Sequence, residues 1–229
     1  MKKASTSLID EVNAWQVERQ ARFEEVPEEG QKIEYLGKEF VVYKGVFWPF
    51  DDSKPLVEHM TVYPGESALD VCTGSGVIAV FLAYKGAGRV VALDIMPNAV
   101  RAARENAEAH GFGGTIDVRL SDMFDALDDG EQFDIITGNL PFRNLEARDA
   151  VESTMWDERM RAHMKFFAGA DRRLKSGGRI YLGQANFGAV KEMKTLAGYA
   201  GFDVQTVAAV SQPYPSQAIF YAFQLTRKE

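Results

Sequence analysis

The sequence predicts an α/β protein built on a doubly wound, mostly parallel sheet of seven strands that ends in an antiparallel C-terminal hairpin. From residue 66 onward, short runs rich in β-branched and aromatic residues alternate with helical patterns, which is typical of a parallel sheet. A glycine-containing turn, Gly74-Ser75-Gly76, joins the first run to the first helix. Only SQPYPSQ separates the last two runs, and because this is too short for a crossover helix, those strands should pair antiparallel.

The N-terminal part of the chain predicts a small cap ahead of this sheet. A capping pattern begins at Ser7, and apolar residues then recur at helical spacing, so residues 7–25 should form an amphipathic helix. The runs KIEYL and EFVVY flank a Gly-Lys turn at 37–38 and predict a hairpin. We therefore expect residues 1–45 to form a helix and hairpin cap, and residues 46–229 to form the main domain.

The strands of the main domain are short apolar runs bounded by glycine and aspartate, and its helices show apolar residues three and four positions apart. The predicted strands are ESALDV, RVVALD, TIDVRL, FDIITG, RIYLGQ, DVQTVAAV and AIFYAFQL. The later predicted helices cover residues 97–111, 152–174 and 187–199.

Composition disfavours several classes of protein. Twenty-six basic and 33 acidic residues give a net charge of −7 without any basic cluster, which disfavours a nucleic-acid partner. A single cysteine, Cys72, cannot form an internal disulfide, and with three scattered histidines it leaves almost no material for a metal site. No apolar stretch approaches the roughly 18 residues of a membrane span, so we expect no membrane partner and a cytoplasmic protein.

Ligands of a doubly wound sheet bind beyond the carboxyl ends of its strands, so the residues at those ends are the candidates for a functional site. The first strand ends at Asp70 and continues into Cys72, Thr73 and the glycine turn, and the second ends at Asp94-Ile95. The later strand ends are Asp122-Met123 and Asn139-Leu140-Pro141-Phe142.

The glycine turn fits the dinucleotide fingerprint G-x-G-x-x-A, with Asp94 eighteen residues beyond Gly76 as the ribose-binding acid. Taken alone, this pattern allows a nicotinamide cofactor or a turn that binds nothing. Asp70 would repel a pyrophosphate but attract an ammonium group, and Asp122 could accept a hydrogen bond from an adenine amino group. These acids favour a cofactor that joins an amino acid to adenosine, which is S-adenosylmethionine.

Four segments in order, ALDVCTGSGVIAV, VVALDIMPNAVRAARENAEAHG, SDMFDAL and FDIITGNLPF, resemble the motifs of class I S-adenosylmethionine-dependent methyltransferases. The similarity covers about residues 46–185. It is greatest to the branch that holds release-factor glutamine methyltransferases and ribosomal guanine amino methyltransferases, whose Asn-Pro-Pro-aromatic motif is Asn-Leu-Pro-Phe here.

The resemblance implies roles for the strand-end residues. Asp70 would lie near the methionine end, and Asp94 would hold both ribose hydroxyls. Ile95 would cover the adenine, and Asn139 would touch both the cofactor and the acceptor. The residues that would pack against the cofactor through their backbone are Thr73, Gly74 and Gly76, and those that would hold the adenine from its other side are Asp122 and Met123.

Two positions depart from the family pattern. Cys72 replaces the first glycine of the loop, so we expect the backbone there to stay outside the left-handed region, and we interpret the thiol as a small packed group. Leu140 replaces the first proline of the tetrad, which removes rigidity but keeps the backbone carbonyl.

The tetrad at 139–142 is interpreted as a clamp for an acceptor nitrogen. An amide or ring-amino nitrogen has a delocalised lone pair, and two oxygens accepting its N–H groups can direct that lone pair at the methyl group and stabilise the developing positive charge. Asn139 and the Leu140 carbonyl would supply those oxygens, Pro141 would fix the bend, and Phe142 would stack on a planar substrate. The alternative is an ordinary Asn-x-Pro turn with a buried phenylalanine.

Further candidates carry weaker signals. Asp52 and Ser53, in VFWPFDDSKP, match the segment that closes over the cofactor in glutamine methyltransferases, although a helix N-cap fits equally well. His163 is interpreted as a packed or surface histidine. The residues that could line a substrate pocket, with a core or loop role as the alternative, are Trp156, Asp157 and Tyr214.

The sequence thus predicts a methyltransferase that acts on a planar amino, amide or guanidino nitrogen. A small-molecule acceptor is favoured by elimination, and the acids Glu146, Asp149 and Asp157 suggest a cationic one. A protein glutamine or a ribosomal RNA base is the alternative acceptor. The alternatives from other classes are a nicotinamide-dependent oxidoreductase and a non-catalytic cofactor-binding subunit.

Overall fold

The computed structural model describes residues 7–228, and residues 1–6 of the predicted cap and residue 229 lie outside the described part. A mixed seven-stranded sheet forms the centre of the fold, as the alternating pattern predicts. The helices are α1 Leu8–Glu24, α2 Lys54–His59, α3 Val77–Tyr84, α4 Pro97–Ala109, α5 Arg161–Arg173 and α6 Val190–Tyr199. The strands are β1 Gln31–Tyr35, β2 Lys38–Val42, β3 Ser67–Val71, β4 Arg89–Asp94, β5 Ile116–Leu120, β6 Phe133–Gly138, β7 Leu174–Ala185, β8 Phe202–Ser211 and β9 Ile219–Arg227.

The strand order of the sheet is β5-β4-β3-β6-β7-β9-β8, and β1 and β2 form a separate hairpin. Strands β3 to β7 run parallel, whereas β9 pairs antiparallel with both β7 and β8, as predicted for the C-terminal hairpin. The chain winds outward in both directions from the neighbouring strands β3 and β6. Their carboxyl ends lie side by side, with Val71 opposite Gly138, and this is the switch point at which such folds bind ligands.

The central strands are nearly continuous apolar runs because helices cover both faces of the sheet. One apolar core lies between the sheet and α2, α3 and α4, and a second lies between the sheet and α5 and α6. Leu69 of β3 and Ile136 of β6 are fully buried in the second core. This packing fixes the strand ends and therefore the loops that follow them.

Several element boundaries differ from the prediction; β7 begins at Leu174, five residues before the predicted run RIYLGQ, and α6 begins at Val190, three residues later than predicted. The hairpin turn is centred on Leu36 and Gly37, both with positive φ, one residue earlier than expected. The helix predicted over 152–174 begins only at Arg161, after two short 3₁₀ helices at Glu152–Thr154 and Glu158–Met160. Its start is fixed by Asp157, whose carboxylate accepts the backbone N–H of Ala162, a contact that a periodicity argument does not include.

The helix and the hairpin of the predicted cap pack on different parts of the main domain. Trp15 of α1 contacts Phe187 and Phe220 at centroid distances of 6.3 Å, near the end of β7 and the start of β9. On the hairpin, Val41 exchanges hydrogen bonds with the side chain of Asn106 on α4. The boundary between residues 45 and 46 stays a prediction.

Neither a membrane-spanning helix nor a cluster of metal-ligating side chains is found within the described residues. Over residues 7–228, no helix is long and apolar enough to cross a membrane. No group of three or more metal-ligating side chains comes together in the same range.

Candidate active site

A cleft of about 520 Å³ opens beyond the carboxyl ends of β3, β4 and β6, within the range of about 300–1,000 Å³ that is usual for small-ligand sites. Its two ends have different walls. We name the part lined by residues 72–75, 94–96 and 121–123 the glycine-loop end, and Gly76, which was predicted to pack against the cofactor, does not line it. We name the part lined by Asn139, Pro141, Trp156 and Asp157 the Asn139 end.

The two glycines of the loop have different functions. A Cβ on Gly76 would lie 2.8 Å from Ala103 Cα, so this glycine permits the close approach of α3 and α4. A Cβ on Gly74 would meet nothing closer than the Phe47 carbonyl at 3.8 Å, so the backbone of Gly74 is open to the cleft. Both residues have positive φ, which glycine adopts at no steric cost.

Cys72 adopts the left-handed conformation with φ of 57°, so the prediction that it avoids this region was wrong. The backbone must turn sharply between β3 and the glycines, and the next residue is held by a hydrogen bond of 3.0 Å from Thr73 N to Leu93 O. A non-glycine residue there costs about 1–2 kcal/mol. The half-buried thiol packs against the second core, and burial followed by the nearby carboxylates raises its pKa well above the ordinary value.

Asp70 does not reach the cleft surface, which corrects its predicted place beside the cofactor. Its carboxylate is fully buried and accepts hydrogen bonds of 2.6 Å from the hydroxyls of Thr73 and Thr137. Burial raises the pKa of Asp70 from 3.8 to about 7, although both hydroxyls oppose the shift. Asp70 therefore ties the glycine loop to β6 and acts through Thr73, which does line the cleft.

Asp94 lies at the floor of the glycine-loop end. Its two oxygens accept backbone N–H groups from Gly74 at 2.8 Å and from Met96 at 2.9 Å, which holds the carboxylate in one orientation. Burial raises its pKa, and these N–H donors oppose the rise. Because a carboxylate has about four lone-pair positions, Asp94 can still accept hydrogen bonds from two hydroxyl groups.

The residues predicted to hold an adenine face the same end of the cleft. Ile95 is 61% exposed, which leaves a flat apolar surface beside Asp94. Asp122 and Met123 also line the cleft, and Asp122 forms an ion pair with Lys165. Met123 has a φ of 53°, so the chain turns sharply where it enters the wall.

Asn139 is fixed from two sides at the end of β6. Its Nδ2 donates a hydrogen bond of 2.7 Å to Asp52 Oδ2. Its Oδ1 is buried and accepts no hydrogen bond from residues 7–228. Behind it lies Gly183 of β7, where a Cβ would collide with Oδ1, so only glycine leaves room for this side-chain orientation.

The other members of the tetrad differ in whether they line the cleft or pack in the apolar core. The Leu140 side chain is buried in the second core and does not line the cleft, and no backbone hydrogen bond of a turn or loop within residues 7–228 reaches its carbonyl. Pro141 lines the cleft. Phe142 is 8% exposed and packs against Phe187 at a centroid distance of 5.8 Å, outside the cleft wall. The predicted stacking role of Phe142 is therefore wrong, because the ring anchors the loop to the core.

The segment predicted to close over the cofactor does form part of the wall, through Phe47, Pro49 and Ser53. Ser53 precedes α2 but its side chain makes no capping bond, and its hydroxyl instead contacts Phe50 O and Tyr35 Oη at 3.1 Å. The segment's acid, Asp52, is 2% exposed and directed at Asn139. Burial raises its pKa, while the Asn139 amide and the charge of Arg19 favour the ionised form.

The candidate substrate residues have separate places. Trp156 lines the cleft and donates a hydrogen bond of 3.2 Å to Gln16 of α1. Asp157 also lines the cleft, but its carboxylate accepts the backbone N–H of Ala162 at the start of α5. The same carboxylate lies 2.7 Å from Nδ1 of His163, and this histidine is buried. Tyr214 is half exposed between β8 and β9 and does not line the cleft.

Arg143 was not identified from the sequence. It follows the tetrad, is 6% exposed, and donates hydrogen bonds to the side-chain oxygens of Gln16 and Asn13 on α1. No carboxylate within residues 7–228 forms an ion pair with it, and burial lowers its pKa. The sequence features that could have indicated this contact are the arginine directly after the tetrad and two side-chain amides, Asn13 and Gln16, three residues apart on one helix.

Comparisons with known proteins identify the family of the chain. The methyltransferase small domain model matches residues 40–201. The release factor glutamine methyltransferase of Cereibacter sphaeroides is 32% identical over 189 residues, which are 76% of this chain and 67% of the relative. A predicted protein N5-glutamine methyltransferase of Methanocaldococcus jannaschii is 26% identical over 84% of this chain and 99% of its own length.

A solved structure supports the fold. The 16S rRNA N2 G1207 methyltransferase of T. thermophilus, in complex with AdoMet and guanosine, superposes with a TM-score of 0.64 at 22% identity. The match covers 87% of this chain and 50% of that one. The family match decides the enzyme class against a nicotinamide-dependent oxidoreductase. The chain belongs to the methyltransferase small domain family and is a class I S-adenosylmethionine-dependent methyltransferase with a Rossmann-like fold.

Proposed function

We propose that the enzyme methylates the side-chain amide nitrogen of a glutamine in a protein. One observation carries the proposal: Asn139, on the cleft wall, keeps a buried Oδ1 that accepts no hydrogen bond from the described residues. The neighbouring Leu140 is buried and does not itself line the cleft, and the proposal assigns its carbonyl as the second acceptor. In this proposal the two oxygens accept the two N–H groups of a primary amide.

The acceptor class follows from the relatives. Both relatives described above bear the names of protein glutamine methyltransferases, which favours the protein alternative over the small-molecule acceptor expected from the sequence. A small-molecule acceptor has no comparable support. The net charge of −7 also favours a protein over ribosomal RNA, because phosphate contacts need clustered basic residues.

The glycine-loop end has the chemistry to hold S-adenosylmethionine. The backbone of Gly74 is open to the cleft, Asp94 retains lone pairs for ribose hydroxyls, and Ile95 offers an exposed apolar surface for the adenine. The cofactor supplies an electrophilic methyl group on a sulfonium. Thr73 and Asp122 are the further residues that would contact it.

The Asn139 end would prepare the amide nitrogen for attack. The lone pair of an amide nitrogen is delocalised, so the nitrogen is a weak nucleophile. When Asn139 Oδ1 and the Leu140 carbonyl accept its two N–H groups, they favour tetrahedral geometry and direct the lone pair at the methyl group. The same oxygens stabilise the positive charge that develops on nitrogen, which is a preorganised electrostatic contribution. The nitrogen would take the methyl group as the S–CH₃ bond of the sulfonium breaks and S-adenosylhomocysteine leaves as a neutral thioether, and the methylated nitrogen would lose one proton to solvent.

The test is to incubate the enzyme with methyl-tritiated S-adenosylmethionine and four separate acceptor pools: purified release factors, intact ribosomes, protein-free ribosomal RNA and desalted metabolites. We expect label in protein, and mass spectrometry after proteolysis should find N5-methylglutamine. Label confined to RNA or to metabolites would contradict the proposal. The Asn139→Ala variant is the control, because it should leave every pool unlabelled on the same time scale.

Salt dependence separates the two macromolecular acceptors in the same assay. An RNA acceptor bound through several phosphates loses affinity steeply between about 50 and 200 mM salt, roughly 10³-fold or more for six contacts. We expect turnover on the protein acceptor to change far less over this range. A loss of that size on the protein pool would contradict the proposal and indicate RNA in the preparation as the substrate.

A further inference from the structure

We propose that Asp52 is a positioning residue that fixes the side-chain amide of Asn139, so that its oxygen and not its nitrogen faces the acceptor. The inference rests on the proposed role of Asn139. The two residues are 87 positions apart in the chain, and only folding brings the segment before α2 against the end of β6.

The geometry gives Asn139 one orientation. Asp52 Oδ2 receives a hydrogen bond of 2.7 Å from Asn139 Nδ2. On the opposite side, Gly183 leaves room for Asn139 Oδ1 close to the β7 backbone. The second carboxylate oxygen, Asp52 Oδ1, is buried and accepts no hydrogen bond from the described chain, so the pairing with Asn139 is the main hydrogen bond of this carboxylate.

An asparagine side chain needs such a partner because rotating its amide by 180° exchanges oxygen and nitrogen with almost no change in shape. One orientation presents an acceptor to the substrate, and the other presents a donor, which would repel the N–H groups of a primary amide. Asp52 Oδ2 accepts the hydrogen bond from Nδ2, and this contact selects the orientation in which Nδ2 points toward Asp52. Oδ1 keeps no partner within the described chain, and it is the atom that the proposed function assigns to the acceptor nitrogen.

The charge of Arg19 opposes the effect of burial on the pKa of Asp52. Its guanidinium lies 3.3 Å from the ring centroid of Phe50 and 4.2 Å from that of Trp15, which holds the cation beside the segment that carries Asp52. The positive charge of Arg19 favours the ionised carboxylate, against the effect of burial. Helix α1, through Arg19, therefore contributes to the orientation of Asn139 as well as to the anchoring of Arg143.

The kinetic test compares three single variants. Asp52→Leu removes the acceptor at similar size, and we expect kcat to fall about 10- to 100-fold, the range for one hydrogen bond to a charged group. The affinity for S-adenosylmethionine should stay within about threefold. Asp52→Asn retains an acceptor oxygen but can also present a donor to Asn139, so it should recover only part of the loss. Asp51→Leu, a change of the exposed neighbouring acid, is the matched control and should behave as wild type.

A double variant identifies the route of the effect. If Asp52 acts through Asn139, adding Asp52→Leu to Asn139→Ala should cause no further loss of kcat. Multiplicative losses in the double variant would overturn the inference, because they would show an independent contribution of Asp52. If Asp52→Leu does not fold, Asp52→Ala takes its place in the same cycle.

A measurement without substrate separates this inference from the proposed function. In ¹⁵N-labelled enzyme, the side-chain NH₂ of Asn139 should be protected from solvent exchange. We expect the protection to fall at least tenfold in Asp52→Leu and to persist in Asp51→Leu. Unchanged protection in a folded Asp52→Leu would overturn the inference and leave the proposed function intact. Wild-type turnover in Asn139→Ala would overturn the proposed function, and this inference with it.

Discussion

The two ends of the cleft are built in different ways. At the glycine-loop end, the backbone contacts join adjacent strands at separations of no more than 20 positions: Asp94 receives the N–H groups of Gly74 and Met96, and Thr73 N bonds to Leu93 O. At the Asn139 end, the contacts cross the molecule. Asn139 reaches Asp52 over 87 positions, and the second such contact, between Arg143 and Gln16, spans 127.

This difference indicates how each end of the cleft is held in place and which property of the enzyme a change there should alter. The glycine-loop end is held by backbone groups of adjacent strands, so its shape follows from the sheet itself. The Asn139 end is held by side chains of α1 and of the segment before α2, which lie outside the sheet. We expect changes at the first end to alter cofactor binding and changes at the second to alter turnover.

The largest expected effect is at the Asn139 end. Asn139→Ala should lower kcat by roughly 10²- to 10³-fold, as removal of one preorganised contact to a transition state does. Steady-state kinetics on the labelled protein acceptor measure it. Asn139→Asp keeps an acceptor oxygen but sets a carboxylate against Asp52, so the pair must share a proton. Its activity should lie between those of wild type and Ala and should rise as the pH is lowered.

The corresponding change at the glycine-loop end is Asp94→Ala. Loss of the hydrogen bonds from the ribose hydroxyls should weaken S-adenosylmethionine binding by about 1.5–3 kcal/mol. Calorimetric titration measures the change, with Asp203→Ala, an exposed acid of β8, as the control. Unchanged affinity in a folded Asp94→Ala protein would remove Asp94 from the cofactor site.

The raised pKa of Asp70, behind the glycine loop, predicts that the free energy of unfolding depends on pH. Its pKa is raised to about 7, so between about pH 4 and 7 the native state keeps a proton that the unfolded chain has released. Its contribution to the free energy of unfolding should therefore fall as the pH rises, by up to about 1.4 kcal/mol per pH unit. Urea unfolding at several pH values should show this slope in wild type and its loss in Asp70→Asn. Equal slopes would contradict the assignment.

The smallest expected effect concerns the strained residue of the glycine loop. Cys72→Gly relieves the left-handed conformation but removes a side chain that packs against the second core. These contributions oppose each other, so we expect the free energy of unfolding to change by less than about 1 kcal/mol. Cys72→Val keeps a comparable volume but adds β-branching at positive φ, and should destabilise the protein by more. The opposite order in chemical denaturation would show that packing dominates.

The sequence predicts the sheet and the glycine-loop end well because both depend on local patterns. Strand ends and glycine spacing are enough to locate Asp94, Ile95 and Asp122 on one cleft wall. The conformation of Cys72 was predicted wrongly because the prediction considered only the residue type. The neighbouring strands impose the turn at this position, and the cysteine adopts it.

The Asn139 end was only partly predictable because its partners are distant in sequence. Asn139 and Pro141 could be located from the tetrad, but the direction of the Phe142 ring depends on packing with Phe187. The burial of Arg143 depends on α1. Periodicity and motifs carry no information on which distant helix covers a loop, so these contacts required the folded structure.

The central claim is that the glycine-loop end governs cofactor binding and the Asn139 end governs turnover. It is tested most directly by titrating S-adenosylmethionine into the Asn139→Ala and Asp94→Ala variants under one set of conditions. The prediction is that Asn139→Ala binds the cofactor within about threefold of wild type, although it hardly turns over. Asp94→Ala should bind roughly 10- to 100-fold more weakly, as loss of hydrogen bonds to a charged group implies. If Asn139→Ala loses as much affinity as Asp94→Ala, Asn139 is mainly a cofactor ligand, and the acceptor-clamp account is contradicted.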